Sequence, residues 1–150
     1  MELKEYIAEK QIVFCSTSNK NKVLGELAGV LSEATGFDND KMLAAILLRE
    51  KLMSTGMGQG LGIPHVRLRG LKRAGMAVGL CRQGISDYES LDNEPIYIVV
   101  LIAAPEGQHE TYIRLLAEVV DVLKRPDLRR EIIAAEEPAE IYQILTGSGK

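Results

Sequence analysis

Histidine and cysteine are scarce in this chain, two of each in 150 residues, and tryptophan is absent. Cys15 and Cys81 stand far apart in sequence and in apolar surroundings. They cannot supply the disulfide framework of a small secreted domain. They read as two buried thiols in a reducing cytoplasm, with a single disulfide as the alternative. Two separated histidines and two lone cysteines match no zinc spacing, so no metal is expected. No apolar run approaches the roughly 18 residues that a membrane-spanning helix needs, so no membrane insertion is expected. The opening MELKEYIAEK is polar and acidic, unlike a signal peptide, and a cytoplasmic location is the expectation. An excess of positive charge is missing too. Lysine and arginine total 18 against 21 aspartates and glutamates, a net charge of −3, which gives no reason to expect nucleic-acid binding. Internal repeats, low-complexity tracts and linkers are also lacking. One domain spanning residues 1–150 is expected.

What is present is an alternation of strand and helix signals. Ile12-Val13-Phe14-Cys15 is a short apolar run and reads as an edge strand. Ser16 to Asn19 supply helix N-cap candidates, and Val23, Leu24, Leu27, Val30 and Leu31 follow at helical spacing until Gly36. Asp38-Asn39-Asp40 caps a second helix whose buried face is expected to be Met42, Leu43, Ile46 and Leu47, ending near Leu52. Gly56 to Gly62 reads as too flexible for a regular element. Ala74 to Cys81 reads as a strand and Gly84 to Pro95 as a polar turn region. IYIVVLIAA, Ile96 to Ala104, is the most apolar run and has the β-branched content of a central strand covered on both faces. Ile113, Leu116, Ala117, Val120 and Leu123 then mark a helix that runs to Pro126, and two short helices, Asp127 to Ala134 and Pro138 to about Gly147, close the chain. The pattern predicts an α/β fold, a layered sandwich in which a small mixed sheet is flanked by helices.

The passage GQGLGIPHVRLRG, Gly58 to Gly70, concentrates the chemistry. It contains no Gly-Lys-Ser/Thr, no Gly-x-Gly-x-x-Gly and no Gly-x-Ser-x-Gly, which excludes a P-loop, a dinucleotide fingerprint and a hydrolase elbow. What remains is His65. A neutral imidazole is a good nucleophile near pH 7. If it accepts a phosphoryl group, the site must offset about two negative charges. Glycines leave backbone N–H groups free to face an anion, and Arg49 and Arg67 can make charge-assisted bonds to phosphoryl oxygens. Pro64 stiffens the backbone before the ring. The plain alternative is a structural histidine, two solvated arginines and a glycine turn. Glu106 and Glu110 suit a helix start through its dipole, and Lys124, Arg125, Arg129 and Arg130 read as a solvated helix-end face.

Arg49-Glu50, Ser54-Thr55-Gly56 and Gly60-Leu61-Gly62-Ile63-Pro64-His65-Val66-Arg67 together resemble the signature of enzyme IIA domains of the fructose/mannitol type, including the nitrogen-regulatory branch, from the bacterial phosphoenolpyruvate-dependent sugar phosphotransferase system. LDNEPIYIVVLIAAPEGQHETYIRLLAEVVDVL resembles the family's second block, and LKRPDLRREIIAAEEPAEIYQIL its C-terminal helices. The resemblance implies an α/β sandwich and a phosphoryl group accepted on His65 from the phosphohistidine of the carrier HPr. It also implies Arg49 near that histidine and no metal or organic cofactor. Arg67, Thr55, Gly60 and Gly62 are the expected phosphate-binding positions. The group would pass to a IIB domain or serve as a signal.

One departure stands out. The family usually carries a second histidine where this chain has Tyr112, while His109 lies three residues earlier. Either His109 serves as that histidine, or Tyr112 stands in its place as a hydroxyl donor. Three functions follow: a phosphotransfer intermediate, a regulatory module whose phosphorylation state sets its affinity for a partner, or a degenerate relative.

Overall fold

In the computed structural model, which describes residues 2–147, six strands and five α-helices follow in the order β1 (Ile12–Phe14), α1 (Lys20–Thr35), α2 (Asn39–Leu52), β2 (Gly56–Gly58), β3 (Leu61–Gly62), β4 (His65–Leu68), β5 (Gly75–Ile85), β6 (Ile96–Pro105), α3 (His109–Leu123), α4 (Pro126–Ala134) and α5 (Pro138–Thr146). The apolar run of β6 is the spine. It pairs antiparallel with β5 from Gly75↔Ala103 to Ile85↔Ile96. Its other edge is shared by two short parallel strands, β3 at Leu61↔Ile98 and β4 at His65↔Ile102. β1 lies parallel to β5 at one edge of the sheet, as its short apolar run predicts, and β2 pairs antiparallel with β3.

Side-chain alternation along β6 divides the core into two layers. Ile98, Val100 and Ile102 pack with Leu115, Val119 and Leu123 of α3, Ile132 of α4 and Ile141 of α5. Val99, Leu101 and Ala103 pack with Leu24, Leu27 and Leu31 of α1 and Met42 and Ile46 of α2. The result is the expected mixed sheet between helices. Local signals set the helix ends. The Asn19 carboxamide accepts from the Lys22 N–H at 3.0 Å and the Asp38 carboxylate from the Lys41 N–H at 2.9 Å. Gly36 ends α1 at φ 77° and Gly147 ends α5 at φ 72°. Prolines open α4 and α5. Leu43 and Leu47, expected in the core, are only partly buried, because α2 covers the sheet with the narrower Met42–Ile46 stripe.

One expectation is corrected. The glycine passage is regular: Gly56–Gly58 and Leu61–Gly62 form a small hairpin, turned by positive φ at Gly58 (92°), Gln59 (57°) and Gly60 (79°). The stretch from His65, given no element in the sequence reading, is the strand β4. None of the three strands carries its own periodic signal, because β3 and β4 draw their regularity from pairing with remote β6 and β2 from pairing with β3. The glycines here answer to close approach. A Cβ at Gly62 would lie 2.9 Å from the Tyr88 ring, and one at Gly56 only 2.0 Å from the Glu89 carbonyl oxygen. Gly56→Ala is therefore expected to destabilise the fold by about 1–3 kcal/mol through overpacking against rigid backbone. Urea denaturation checks this, and an unchanged midpoint contradicts it.

Cys15 and Cys81 are both free thiols, as expected, with Cys81 buried and Cys15 partly so. The fold brings them together: the Cys15 N–H donates to the Leu80 carbonyl at 2.9 Å, placing Cys15 opposite Cys81 across the β1–β5 pairing. At the C-terminal face, Arg125 pairs with Asp127 at 2.8 Å and Arg129 donates to the Leu123 carbonyl, so these two basic side chains secure helix ends.

Candidate functional site

β4 displays His65 and Arg67 two residues apart, hence on one face of the strand. The ring of His65 is fixed by a short contact of its Nδ1 with the Ile63 carbonyl oxygen, 2.6 Å. A carbonyl only accepts, so Nδ1 carries the proton and Nε2 carries the lone pair. The ring borders an open cavity of about 610 Å³. One wall is Ala45, Leu48, Arg49 and Leu52 from α2, the floor is His65, Val66 and Arg67, and Glu106 and Tyr112 close the other side.

The cations are held by contacts within the chain. Arg49 donates from Nη1 to the Met53 carbonyl at 2.8 Å, at the negative end of α2, while its side chain borders the cavity. Arg67 donates from Nη1 to Nδ1 of His109 at 3.2 Å, and its guanidinium carbon lies 5.7 Å from the centre of the Tyr112 ring. An arginine only donates, so His109 accepts at Nδ1 and holds its own proton on Nε2. The Tyr112 ring stands 5.6 Å from that of His65 and 6.3 Å from that of His109. Partial burial pushes the Tyr112 hydroxyl above the usual tyrosine range, opposed by the charges of Arg49 and Arg67. Near neutral pH it is a proton-bearing donor.

Four of the residues anticipated from sequence thus meet at one cavity: His65, Arg49, Arg67 and Tyr112. His109 is reached through Arg67 and does not border it. Thr55, Gly60 and Gly62 do not border it either. The Thr55 hydroxyl is buried between a Glu50 carboxylate oxygen and the Tyr88 hydroxyl, 2.6 Å from each. The Gly60 carbonyl accepts from the Tyr97 and Ile98 N–H groups, and Gly62 lies within β3 against Tyr88. These three stand in or beside the β2–β3 hairpin that precedes the strand carrying His65, outside the cavity lining. Sequence reasoning missed Leu48 and Leu52. They are 64% and 78% exposed, four residues apart on α2 and outside its buried stripe, and that spacing was the available signal. It also treated Glu106 as a helix-start residue, whereas Glu106 precedes α3 and borders the cavity.

Two buried acids and one partly buried one respond to pH together. Cys81 is raised by its contact with Cys15 and by burial, Tyr88 by burial and the nearby Glu50, and Tyr112 by burial. Each keeps its proton in the folded chain at a pH where the unfolded chain has lost it. The unfolded chain then binds fewer protons, and stability falls as pH rises. The decline is expected to begin near pH 8.5, where an unfolded cysteine titrates, and to steepen near pH 10, where an unfolded tyrosine does. Urea midpoints measured across that interval test it, and a flat profile contradicts it.

Among the described residues no group of three or more histidines, cysteines or acids is arranged to hold a metal, and no helix is long and apolar enough to cross a membrane. The chain matches the model of a family described as "Phosphoenolpyruvate-dependent sugar phosphotransferase system, EIIA 2" over residues 5–148. It is 35% identical over 136 residues to the fructose-specific EIIABC component of Bacillus subtilis, covering 89% of this chain but only 21% of that larger protein. It is 31% identical over 147 residues to the nitrogen regulatory protein of Bradyrhizobium diazoefficiens, covering 97% of this chain and 95% of the relative. The fold is similar to that of the nitrogen regulatory protein IIA-Ntr of Neisseria meningitidis, with TM-score 0.89, 24% identity and coverage of 95% and 97%. It is also similar to the enzyme IIA of mannitol from Escherichia coli, solved in complex with phosphorylated enzyme IIB, with TM-score 0.78, 18% identity and coverage of 94% and 97%. A Pro-His strand opening on a cation-lined cavity, a family match over residues 5–148 and near full-length relatives above 30% identity agree, and the chain belongs to the EIIA 2 family of the phosphoenolpyruvate-dependent sugar phosphotransferase system.

Proposed function

We propose that His65 accepts a phosphoryl group from a phosphorylated HPr-like carrier and passes it to a IIB domain or holds it as a signal. The observation that carries this reading is the Nδ1 contact with Ile63, which leaves the Nε2 lone pair free at a cavity lined by two arginines. The lone pair attacks phosphorus in line as the carrier's nitrogen departs, so a P–N bond forms while another breaks. Arg49 and Arg67 offset charge on the equatorial oxygens, and Tyr112 replaces the family's second histidine as a neutral donor. The reaction needs positioning and charge stabilisation and calls on no cofactor. Incubation with phosphoenolpyruvate, enzyme I and HPr is expected to add one acid-labile phosphoryl group. Failure of wild-type protein to gain mass contradicts the proposal. Within it, Tyr112→Phe removes one donor to the phosphoryl oxygens and is expected to slow uptake by about tenfold. A rate equal to wild type would remove Tyr112 from the mechanism.

Two observations favour the regulatory use of the same chemistry. The near full-length relative is a nitrogen regulatory protein, and Leu48 and Leu52 are exposed apolar residues that line the cavity. A phosphoryl group adds about −1.5 to −2 charge and penalises apolar docking there. Pull-downs with unmodified and phosphorylated protein are expected to retain different partners. Identical partners count against the switch.

A further inference from the structure

Behind the cavity lies a buried polar network that the phosphotransfer reading leaves unused. Glu50 is 8% exposed, yet its carboxylate is fully occupied. It takes Lys20 Nζ from the start of α1 at 3.0 Å, the Thr55 N–H at 3.2 Å and the Thr55 hydroxyl at 2.6 Å. Lys20 is itself largely buried and lies over the Tyr88 ring at 4.4 Å. The chain of contacts continues forward. The Thr55 carbonyl accepts from the Ile63 N–H at 3.1 Å, and the Ile63 carbonyl accepts from His65 Nδ1 at 2.6 Å.

The geometry points to Glu50 as a positioning residue for His65. Through Thr55 it fixes the Ile63 carbonyl, and that carbonyl holds the His65 proton on Nδ1 and leaves Nε2 as the attacking nitrogen. The inference deepens the proposed phosphotransfer and rests on it for its functional consequence. Two features favour positioning over simple packing. The peptide that accepts from His65 is the same peptide unit's neighbour that Thr55 anchors, so displacement of residue 55 is transmitted over one residue to the ring's partner. The hairpin is weakly locked by its own side chains: only Leu61 packs into the core and Met57 is exposed, while its glycines at 56 and 62 are wedged from outside by the Glu89 backbone and Tyr88. Fixed acceptors on a histidine decide which ring nitrogen is available.

The test compares Glu50→Gln, Thr55→Val and Thr55→Ser in the full chain. The His65 tautomer is read by nitrogen NMR of the unmodified protein in alkaline buffer, which requires no phosphoryl donor. Single-turnover uptake from phosphorylated HPr is measured in parallel. Glu50→Gln and Thr55→Val are expected to mix the Nδ1–H and Nε2–H tautomers. They are expected to slow uptake by about tenfold to a hundredfold, the cost of a misplaced reacting group, at an unchanged KM for the carrier. Thr55→Ser, which keeps the hydroxyl, is expected to behave as wild type. A wild-type tautomer and rate in folded Glu50→Gln and Thr55→Val overturn the inference. If Glu50→Gln does not fold, the contrast between the valine and serine variants decides. If the variants shift the tautomer while wild-type protein takes up no phosphoryl group, the positioning role stands and the phosphotransfer reading falls.

Discussion

His65→Ala is expected to gain no mass when incubated with phosphoenolpyruvate, enzyme I and HPr, under conditions in which the wild-type chain gains one phosphoryl group. No neighbouring group is placed to take over. His109 has its Nδ1 lone pair committed to Arg67 and its other nitrogen protonated. Tyr112 retains its proton, because burial raises its hydroxyl above the ordinary range. Removal of the sole nucleophile in covalent transfer ends the reaction, unlike removal of a supporting group. The fold should survive, since the ring is only partly buried and one hydrogen bond to Ile63 is lost, a cost of about 1 kcal/mol. Phosphorylation persisting in a folded His65→Ala chain would place the acceptor elsewhere.

Arg67→Met is expected to lower the rate of phosphoryl uptake by about a hundredfold to a thousandfold, the usual cost of deleting one preorganised donor at a developing charge. The side chain is ready before any phosphate arrives, tied to His109 at 3.2 Å and set against the Tyr112 ring. Such a group acts through its charge in the transition state, so kcat should fall far more than KM rises. Arg67→Lys restores the charge without the planar fork and should recover only part of the loss. Arg49 is held differently, by the Met53 carbonyl at the end of α2. In the proposed transfer, two cations anchored on different elements would supply the charge that a neutral Tyr112 does not bring. Stopped-flow or quench kinetics with phosphorylated HPr test this, and a wild-type rate in Arg67→Met would contradict it.

Local signals carried most of the fold. The caps at Asn19 and Asp38, the stop at Gly36 and the proline at 138 act within a few residues, and each stands where its chemistry requires, whereas Pro126, read as the end of the preceding helix, opens α4 after α3 has ended at Leu123. The β6 run was legible because a strand buried on both faces is apolar throughout. The strands β2, β3 and β4 were not legible. β3 and β4 bond to residues more than thirty positions away in β6, β2 bonds only to β3, and the glycines at 56 and 62 reflect contacts with Glu89 and Tyr88 that no local pattern encodes. The site followed the same division. His65, Arg49, Arg67 and Tyr112, singled out by the motif and by residue chemistry, border one cavity. Thr55 was singled out because a hydroxyl in a glycine passage suggests anion binding; its burial against Glu50 depends on a contact that no local pattern encodes. Leu48 and Leu52 were overlooked because an apolar helix pair reads as core until the neighbouring elements are known to leave it uncovered.

The most direct measurement is the identity of the phosphorylated nitrogen. With the proton of His65 held on Nδ1 by the Ile63 carbonyl, attack must come from the other side of the ring. Phosphorus and nitrogen NMR of the chain phosphorylated through HPr is predicted to show a P–N bond to Nε2 of His65. A phosphoryl group on Nδ1 of that ring, or on any other residue, would contradict the account.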